Sequence, residues 1–302
     1  MTSRGPLRSV TVVVITHDRI DELRRTLEHM CALEEAPPII VADNASSDGT
    51  ARMVRREFPS VRLLTFQDNL GAVARNRAVA LVQTPYVAFC DDDTRWQPGA
   101  LTTGSDLLDQ YEGLGSVTGR CLVAPRLDED PITPEMRYSP VPGPPWLPGP
   151  ALLGIMAGLS MLRVSAFRDV GGFCERMWLG GEEELLALDL AAAGWWMVWS
   201  EEMVIHHHPS RMRDSTRRRQ LGIRNTLWTL WLRRPIRSAT RRSVAVLRSA
   251  PCDGSTASAV IETLTGVAWV LRHRKVVPPT VEAGLVLLEE PQSRSAARRY
   301  VG

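Results

Sequence analysis

Along residues 10–90, short β-branched runs alternate with stretches in which apolar residues recur every three or four positions. This is the pattern of successive β-α units that build a mainly parallel sheet. SVTVVVIT predicts the first strand, ending at Thr16, and Leu23, Leu27 and Met30 fall at i, i+4 and i+7 to make the apolar face of a first helix. IIVAD predicts a second strand that ends at Asp43. Asp48 then caps a helix through Phe58, VRLLT is a third strand, residues 72–82 are a third helix, and YVAFC is a fourth strand running into Asp91, Asp92 and Asp93.

Residues 125–150 are proline-rich and aperiodic and read as one long loop. Periodicity resumes with LLGIMAGLSML, read as a strand, then a short helix, a glycine-rich turn at Gly171 and Gly172, and a helix from about Glu182 to Ala193. Past His208 the chain turns into arginine-rich helices that carry Trp228, Trp231 and Trp269. A boundary near Pro209 follows, dividing an α/β domain over residues 1–210 from a helical extension over residues 211–302.

Composition narrows the class without naming a chemistry. A chain of 302 residues is long enough to bury a substantial core, and its 44% hydrophobic and 23% charged content suggests neither disorder nor a membrane-embedded body. The net charge of +2 is small but uneven, because residues 211–248 hold many arginines, no lysine and a single acid, Asp214. Cys31, Cys90, Cys121, Cys174 and Cys252 are odd in number and scattered, and they read as reduced thiols of a cytoplasmic protein. MTSRGPLRSV lacks the apolar run of a signal peptide, and residues 185–199, the longest apolar stretch, are interrupted by Asp189.

Candidate chemistry lies at the strand ends. In an open parallel sheet ligands bind beyond the carboxyl ends of the strands. Thr16, His17 and Arg19, then Asp43 and Asn44, then the three aspartates all fall there. Adjacent carboxylates repel one another, and a divalent ion relieves the repulsion. Magnesium and manganese suit oxygen ligands shared between carboxylates and phosphates. A solvated acidic turn is the plain alternative, and the common rim with the other strand ends favours the ion. In DNLGAVARNRA, Gly71 permits close backbone approach, and Arg75 and Arg77 are suited to phosphate.

THDR, DNASSDGT, NLGAVARNRA, the D-D-D tract and GGFCERMWLGGEEELLALDLAAAGW, in that order over roughly residues 10–210, together resemble the family 2 glycosyltransferases of the GT-A fold. The resemblance implies a Rossmann-like α/β sheet flanked by helices with a C-terminal helical appendage. It also implies an inverting enzyme that moves a hexosyl or deoxyhexosyl unit from a nucleotide diphosphate sugar to an acceptor hydroxyl. Donor binding would fall in about residues 10–95, and acceptor and base in about residues 115–210. Thr16, Arg19 and Asp43 match positions that hold the nucleoside, with Asn44 and Gly71 beside them, and Arg75 matches one facing the diphosphate. Asp91 and Asp93 match the outer members of the D-x-D motif, which contacts ribose and metal, with Asp92 between them. Glu183 aligns with the general base. A second acid commonly follows two residues later, where this chain has Leu185, so the base is open among Glu182, Glu183 and Glu184. Acids at a helix start also favour the positive end of its dipole, which accounts for one or two of them without catalysis.

The resemblance further implies Mn or Mg as cofactor and a UDP-, dTDP- or GDP-linked donor, and it leaves the acceptor unidentified. On a strand, His206 and His208 share a face. His208 is a candidate metal ligand, and a structural role fits it equally. Trp228 and Trp231 beside Leu230, Leu232 and Arg233 suggest an amphipathic helix anchored peripherally at the inner face of a membrane, against the plainer reading of a packed helix with solvated arginines. No nucleic acid is expected, because basic and aromatic residues do not interleave across the main domain. A nucleotidyltransferase would need a glycine-rich, lysine-bearing loop that THDRIDELRR lacks, and a non-catalytic nucleotide-sugar-binding protein would not need carboxylates at both the metal and base positions.

Overall fold

The computed structural model describes residue 7, residues 9–209 and residues 215–295, so Ser210, Arg211, Arg213 and Asp214 at the expected boundary lie outside the described residues. The chain opens with β1 (Val10–Thr16), α1 (Ile20–Cys31), β2 (Ile39–Asp43), α2 (Thr50–Glu57), β3 (Arg62–Thr65), α3 (Val73–Val79) and β4 (Tyr86–Asp91), the alternation the periodicity predicts. These four strands pair in parallel in the order β3-β2-β1-β4. The register sets Thr16 beside Asp43 and Ile15 beside Asp91, so three strand ends share one rim. Leu23, Leu27 and Met30 of α1 are buried against one sheet face, and α3 covers the other through Ala74 and Ala78. Covering on both faces explains why β1, β2 and β4 are almost wholly apolar and buried, while the edge strand β3 exposes Arg62 and Thr65.

The second half mixes directions. It contains β5 (Thr94–Trp96), α4 (Ala100–Gln110), β6 (Leu114–Val123), β7 (Asp128–Glu129), α5 (Thr133–Arg137), β8 (Ala151–Leu152), a 3-10 turn (Ala157–Leu159), β9 (Ser160–Arg163), α6 (Val164–Asp169), α7 (Glu182–Ala192) and β10 (Trp196–His207). β9 inserts antiparallel between β4 and β6, β10 runs parallel to β6, and β5 closes the far edge antiparallel to β10. The carboxyl ends of β6 and β10 therefore lie at the same rim as those of β1 and β4.

Two sequence expectations change here. LLGIMAGLSML is not one strand but β8, the 3-10 turn and β9. The turn is needed because Gly158 passes under Asp91, where a Cβ would stand 2.8 Å from Oδ2. Residues 125–150 are not one long loop either. Their first part forms β7 and α5 next to the end of β6. Their second part packs by the amino-terminal ends of β6 and β10, where Trp146 stacks on Tyr111 at 6.2 Å and meets Trp196 edge-on at 6.4 Å. A cavity of about 310 Å³ between residues 148–150 and the first half of β10 belongs to that region, away from the acidic rim.

The C-terminal helices are α8 (Ser215–Arg233), α9 (Ile236–Ser249), α10 (Gly254–Thr265), α11 (Val267–His273) and α12 (Pro279–Arg294). Trp228 is 6% exposed and packs with Met177, Leu185, Leu232 and Val270, and its Nε1 donates to the Thr263 carbonyl. Trp231 Nε1 donates to Ser243 Oγ. These rings face protein rather than a membrane, which corrects the anchor reading of α8. Several arginines of α8 and the residue after it are not simply solvated: Arg217 and Arg224 pair with Glu262, Arg219 with Asp253, and Arg234 with Glu282 and Glu289. Among the described residues no helix is long and apolar enough to cross a membrane.

Candidate active site

The rim is built on the turn after β4. Asp92 points inward: its carboxylate accepts from Thr16 Oγ1 at 2.9 Å and Arg19 Nη1 at 2.9 Å, and its carbonyl accepts from Thr26 Oγ1 at 2.7 Å. Burial pushes its pKa up to about 7, against the opposing pull of Arg19. Arg19 also reaches Asp93 Oδ2 at 3.2 Å. Thr16 and Arg19 are thus tied to the acidic tract as well as standing at the rim. Asp91 is the exposed member, with a side chain 40% accessible, and it receives Arg75 Nη2 at 2.5 Å. Arg75 is itself buried, its guanidinium 5.9 Å from the Phe89 ring and 5.6 Å from that of Phe173. Rings on one side and a carboxylate on the other fix a cation at the place expected to face a diphosphate.

Asp43 is buried and accepts from Ser46 N at 3.0 Å, which folds the turn after β2. Asp48 likewise accepts from Ile20 N and Thr50 N, joining the starts of α1 and α2. The Asn44 side chain is spent on backbone, donating to the Gly71 carbonyl and accepting from Leu70 N, so it braces the neighbouring turn. Gly71 has φ +58, and a Cβ on it would stand 2.3 Å from the Trp178 carbonyl. The close approach expected of this glycine is therefore made to Trp178. Arg77 points away to a wide, exposed pair with Glu175.

Residues far apart in sequence complete the rim. The pairing of β5 with β10 sets His207 opposite Thr94, and His207 Nε2 stands 3.7 Å from Asp93 Oδ1. The expected ligand, His208, meets Asp93 through its backbone N–H, which donates to the Asp93 carbonyl. Burial, then Arg95, holds the His208 imidazole down to about 4. Alternation identified the strand but not which face looks toward the aspartates. His207 also clusters with Cys121 and Asp130, their ligand atoms within 4.8 Å of one another.

The three glutamates open α7 behind Gly180 and Gly181, whose φ values are +84 and +92. Glu183 Oε1 accepts from Ala157 N at 2.5 Å, so consecutive residues of the 3-10 turn touch Glu183 and Asp91. Burial, with Glu182 adding its charge, raises Glu183 to about 8. Glu182 is buried and also raised by desolvation, and its Oε2 has no hydrogen-bond partner among the described residues. Glu183 and Glu184 are partly exposed. The loop before α7 is held from outside the α/β sheet. Asn225 of α8, fully buried, donates Nδ2 toward the carbonyls of Met177 (2.8 Å), Leu179 (3.2 Å) and Gly180 (2.5 Å), and Arg224 adds a bond to Met177. Nothing in an isolated Arg-Asn pair on a helix marks this clamp in the sequence.

A mixed sheet with an acidic turn after its central strand and a carboxylate-bearing helix at the same rim defines a glycosyltransferase of the GT-A fold. The chain is similar to the mannosyltransferase PcManGT from Pyrobaculum calidifontis, solved in complex with GDP-Man and Mn2+. The TM-score is 0.57 at 20% identity, over 93% of this chain and 85% of that one. It is also similar to S. aureus TarS 1-349, with a TM-score of 0.60 at 14% identity over 91% and 82%. At such identities the likeness speaks for the fold alone. The family model for glycosyl transferase family 2 matches residues 11–171, more than half of the chain, and the chain belongs to that family. The N-acetylglucosaminyl-diphospho-decaprenol L-rhamnosyltransferase of Mycobacterium tuberculosis is 29% identical over 221 residues, 61% of this chain and 71% of that protein. The putative teichuronic acid biosynthesis glycosyltransferase TuaG of Bacillus subtilis is 30% identical over 132 residues, 41% and 50% of the two chains.

Proposed function

We propose that this glycosyltransferase binds a nucleotide diphosphate sugar along the rim of β1, β2 and β4 and transfers the sugar, with inversion, to an acceptor hydroxyl deprotonated by Glu183. The observation that carries this reading is the junction at Ala157 and Gly158, consecutive residues of one short turn, where Ala157 N–H donates to Glu183 and Gly158 lies close against Asp91. An in-line displacement needs a base on one side of the anomeric carbon and a stabilised leaving group on the other. Glu183 takes the acceptor proton, the acceptor oxygen forms a bond to the anomeric carbon, and the bond from that carbon to the phosphate oxygen breaks. Its electron pair leaves with the nucleoside diphosphate. Arg75 faces that charge. Asp43, with Thr16 and Arg19 beside it, takes the nucleoside.

The donor set suits a divalent ion: carboxylates at Asp91 and Asp93, an imidazole at His207 near the position expected of His208, and a glycine where a Cβ would crowd Asp91. Asp91 and Asp93, with His207, would hold Mn or Mg, which when bound neutralises charge on the diphosphate. Glu182 and Glu184 are the neighbouring candidates for the base. Among relatives, PcManGT was solved with GDP-Man and another TarS structure with UDP. The name of the M. tuberculosis relative supports a deoxyhexosyl unit and a lipid-linked diphosphate acceptor here.

The test is incubation of the protein and Mn2+ with UDP-, dTDP- and GDP-linked hexoses and deoxyhexoses, reading slow donor hydrolysis. Hydrolysis of one donor that disappears in Asp93→Ala supports the reading. Hydrolysis that survives in Asp93→Ala removes the metal role from this residue.

A further inference from the structure

We propose that α9 is a membrane-docking helix that lays its outer face on an anionic lipid surface. With about 100° per residue, Ile236, Leu247, Thr240 and Val244 fall within an arc of about 80°, and Arg237, Arg248 and Arg241 occupy roughly the next 60° beyond Val244. Ile236 is 65% exposed, Val244 42% and Leu247 40%, and the three arginines are exposed as well. The opposite side carries Ala239 and Val246, buried against Ile223, Leu227 and Leu230 of α8. One face of the helix is therefore used by the fold, while the other sets an uncovered apolar row beside a row of cations.

The helix contains no acidic residue. Arg241 meets Glu289 of α12, and Arg237 and Arg248 are left to act outward. Protein cores reject the arginines and bulk water gains nothing from the apolar row, whereas the boundary between headgroups and acyl chains accepts both. The exposed residues of α10 and α11, Ile261, Leu264, Val267 and Leu271, have the acidic Glu262 among them and basic residues, Arg272 and His273, only at the end of α11 rather than in a row along the helix, which is why the assignment falls on α9. The aromatic pair of α8 suggested by sequence lies on the wrong side for this role.

The inference goes beyond the transferase chemistry and does not depend on it, since vesicle binding and donor hydrolysis are read separately. The full chain is sedimented with vesicles of phosphatidylcholine alone or with about one third phosphatidylglycerol, at roughly 0.1 M salt. Wild type is expected to partition onto the anionic vesicles only. Ile236→Ser with Leu247→Ser, and separately Arg237→Glu with Arg248→Glu, are expected to lower the partition coefficient at least about tenfold. The matched charge reversal on α2, Arg52→Glu with Arg56→Glu, should stay within about twofold. All variants change exposed side chains, and circular dichroism checks their fold. The proposal is overturned if wild type ignores anionic vesicles, or if the α9 pairs bind them as wild type does. It is equally overturned if binding follows charge alone, with poly(U) RNA displacing the vesicles and Ile236→Ser with Leu247→Ser having no effect.

Discussion

Ionising a carboxyl group in poorly solvated surroundings is costly, and Glu183, partly exposed, stands in that position beside the buried carboxyl of Glu182. A base poised near the working pH is the useful case, and burial lifts Glu183 to about 8. Only the ionised form accepts a proton, and that form grows as pH rises through the raised pKa. Transfer measured as kcat/KM should therefore climb from about pH 6 to about pH 8, and a flat profile would exclude Glu183 as the base. Glu183→Gln keeps an oxygen for the Ala157 N–H, so donor binding should persist while transfer falls by about 10²–10⁴. The same shift acts on stability. Between the unfolded value of 4.5 and about 8 the native state binds the extra proton, so stability present at low pH is lost as pH rises through that window. The amide has no such loss: the melting temperature of Glu183→Gln relative to wild type should increase from pH 5 to pH 9, and a constant difference contradicts the burial argument. The placement of Asp43, Asp91 and Arg75 at the rim was legible in the sequence because strand ends and a helix start display them. His207 was not, because only the β5–β10 pairing decides which imidazole turns toward Asp93.

α7 opens without a side-chain cap, after two glycines in left-handed conformation, so its first turn has little of its own to fix it. α8 supplies the constraint through Asn225, through Arg224, and through Arg233, which grips Asp189 with two bonds of 2.5 and 3.0 Å. Asn225 is a positioning residue in this geometry. Asn225→Ala removes the Nδ2 donor from the carbonyls of Leu179 and Gly180, while Met177 keeps its bond from Arg224, and should cost about 1–3 kcal/mol in urea unfolding. It should also lower kcat at least several-fold with the donor KM within about twofold, and displace the midpoint of the pH profile. A stability loss without any kinetic change would make the contact structural only. The first four strands were readable because their helices follow at once and the period switches cleanly from two to 3.6. Residues 152–162 were misread as one strand because short apolar runs punctuated by glycine fit strands and tight turns equally well.

The rim gathers strand ends from the first hundred residues, a turn near residue 157, a helix near residue 183 and a strand end at His207, with a clamp from residue 225. Parallel pairing on one side and antiparallel insertion of β9 on the other bring these together, a topology no local pattern encodes. The family match ends at residue 171, so the glutamates, His207 and the clamp all lie beyond it. Titration calorimetry with UDP, dTDP and GDP, with and without Mn2+, on wild type, Asp93→Ala and Glu183→Gln tests most directly whether the acidic rim is the donor site. Metal-dependent binding of one nucleotide is expected in wild type and Glu183→Gln and not in Asp93→Ala. Equal affinity in all three proteins, or no dependence on the metal, would contradict it.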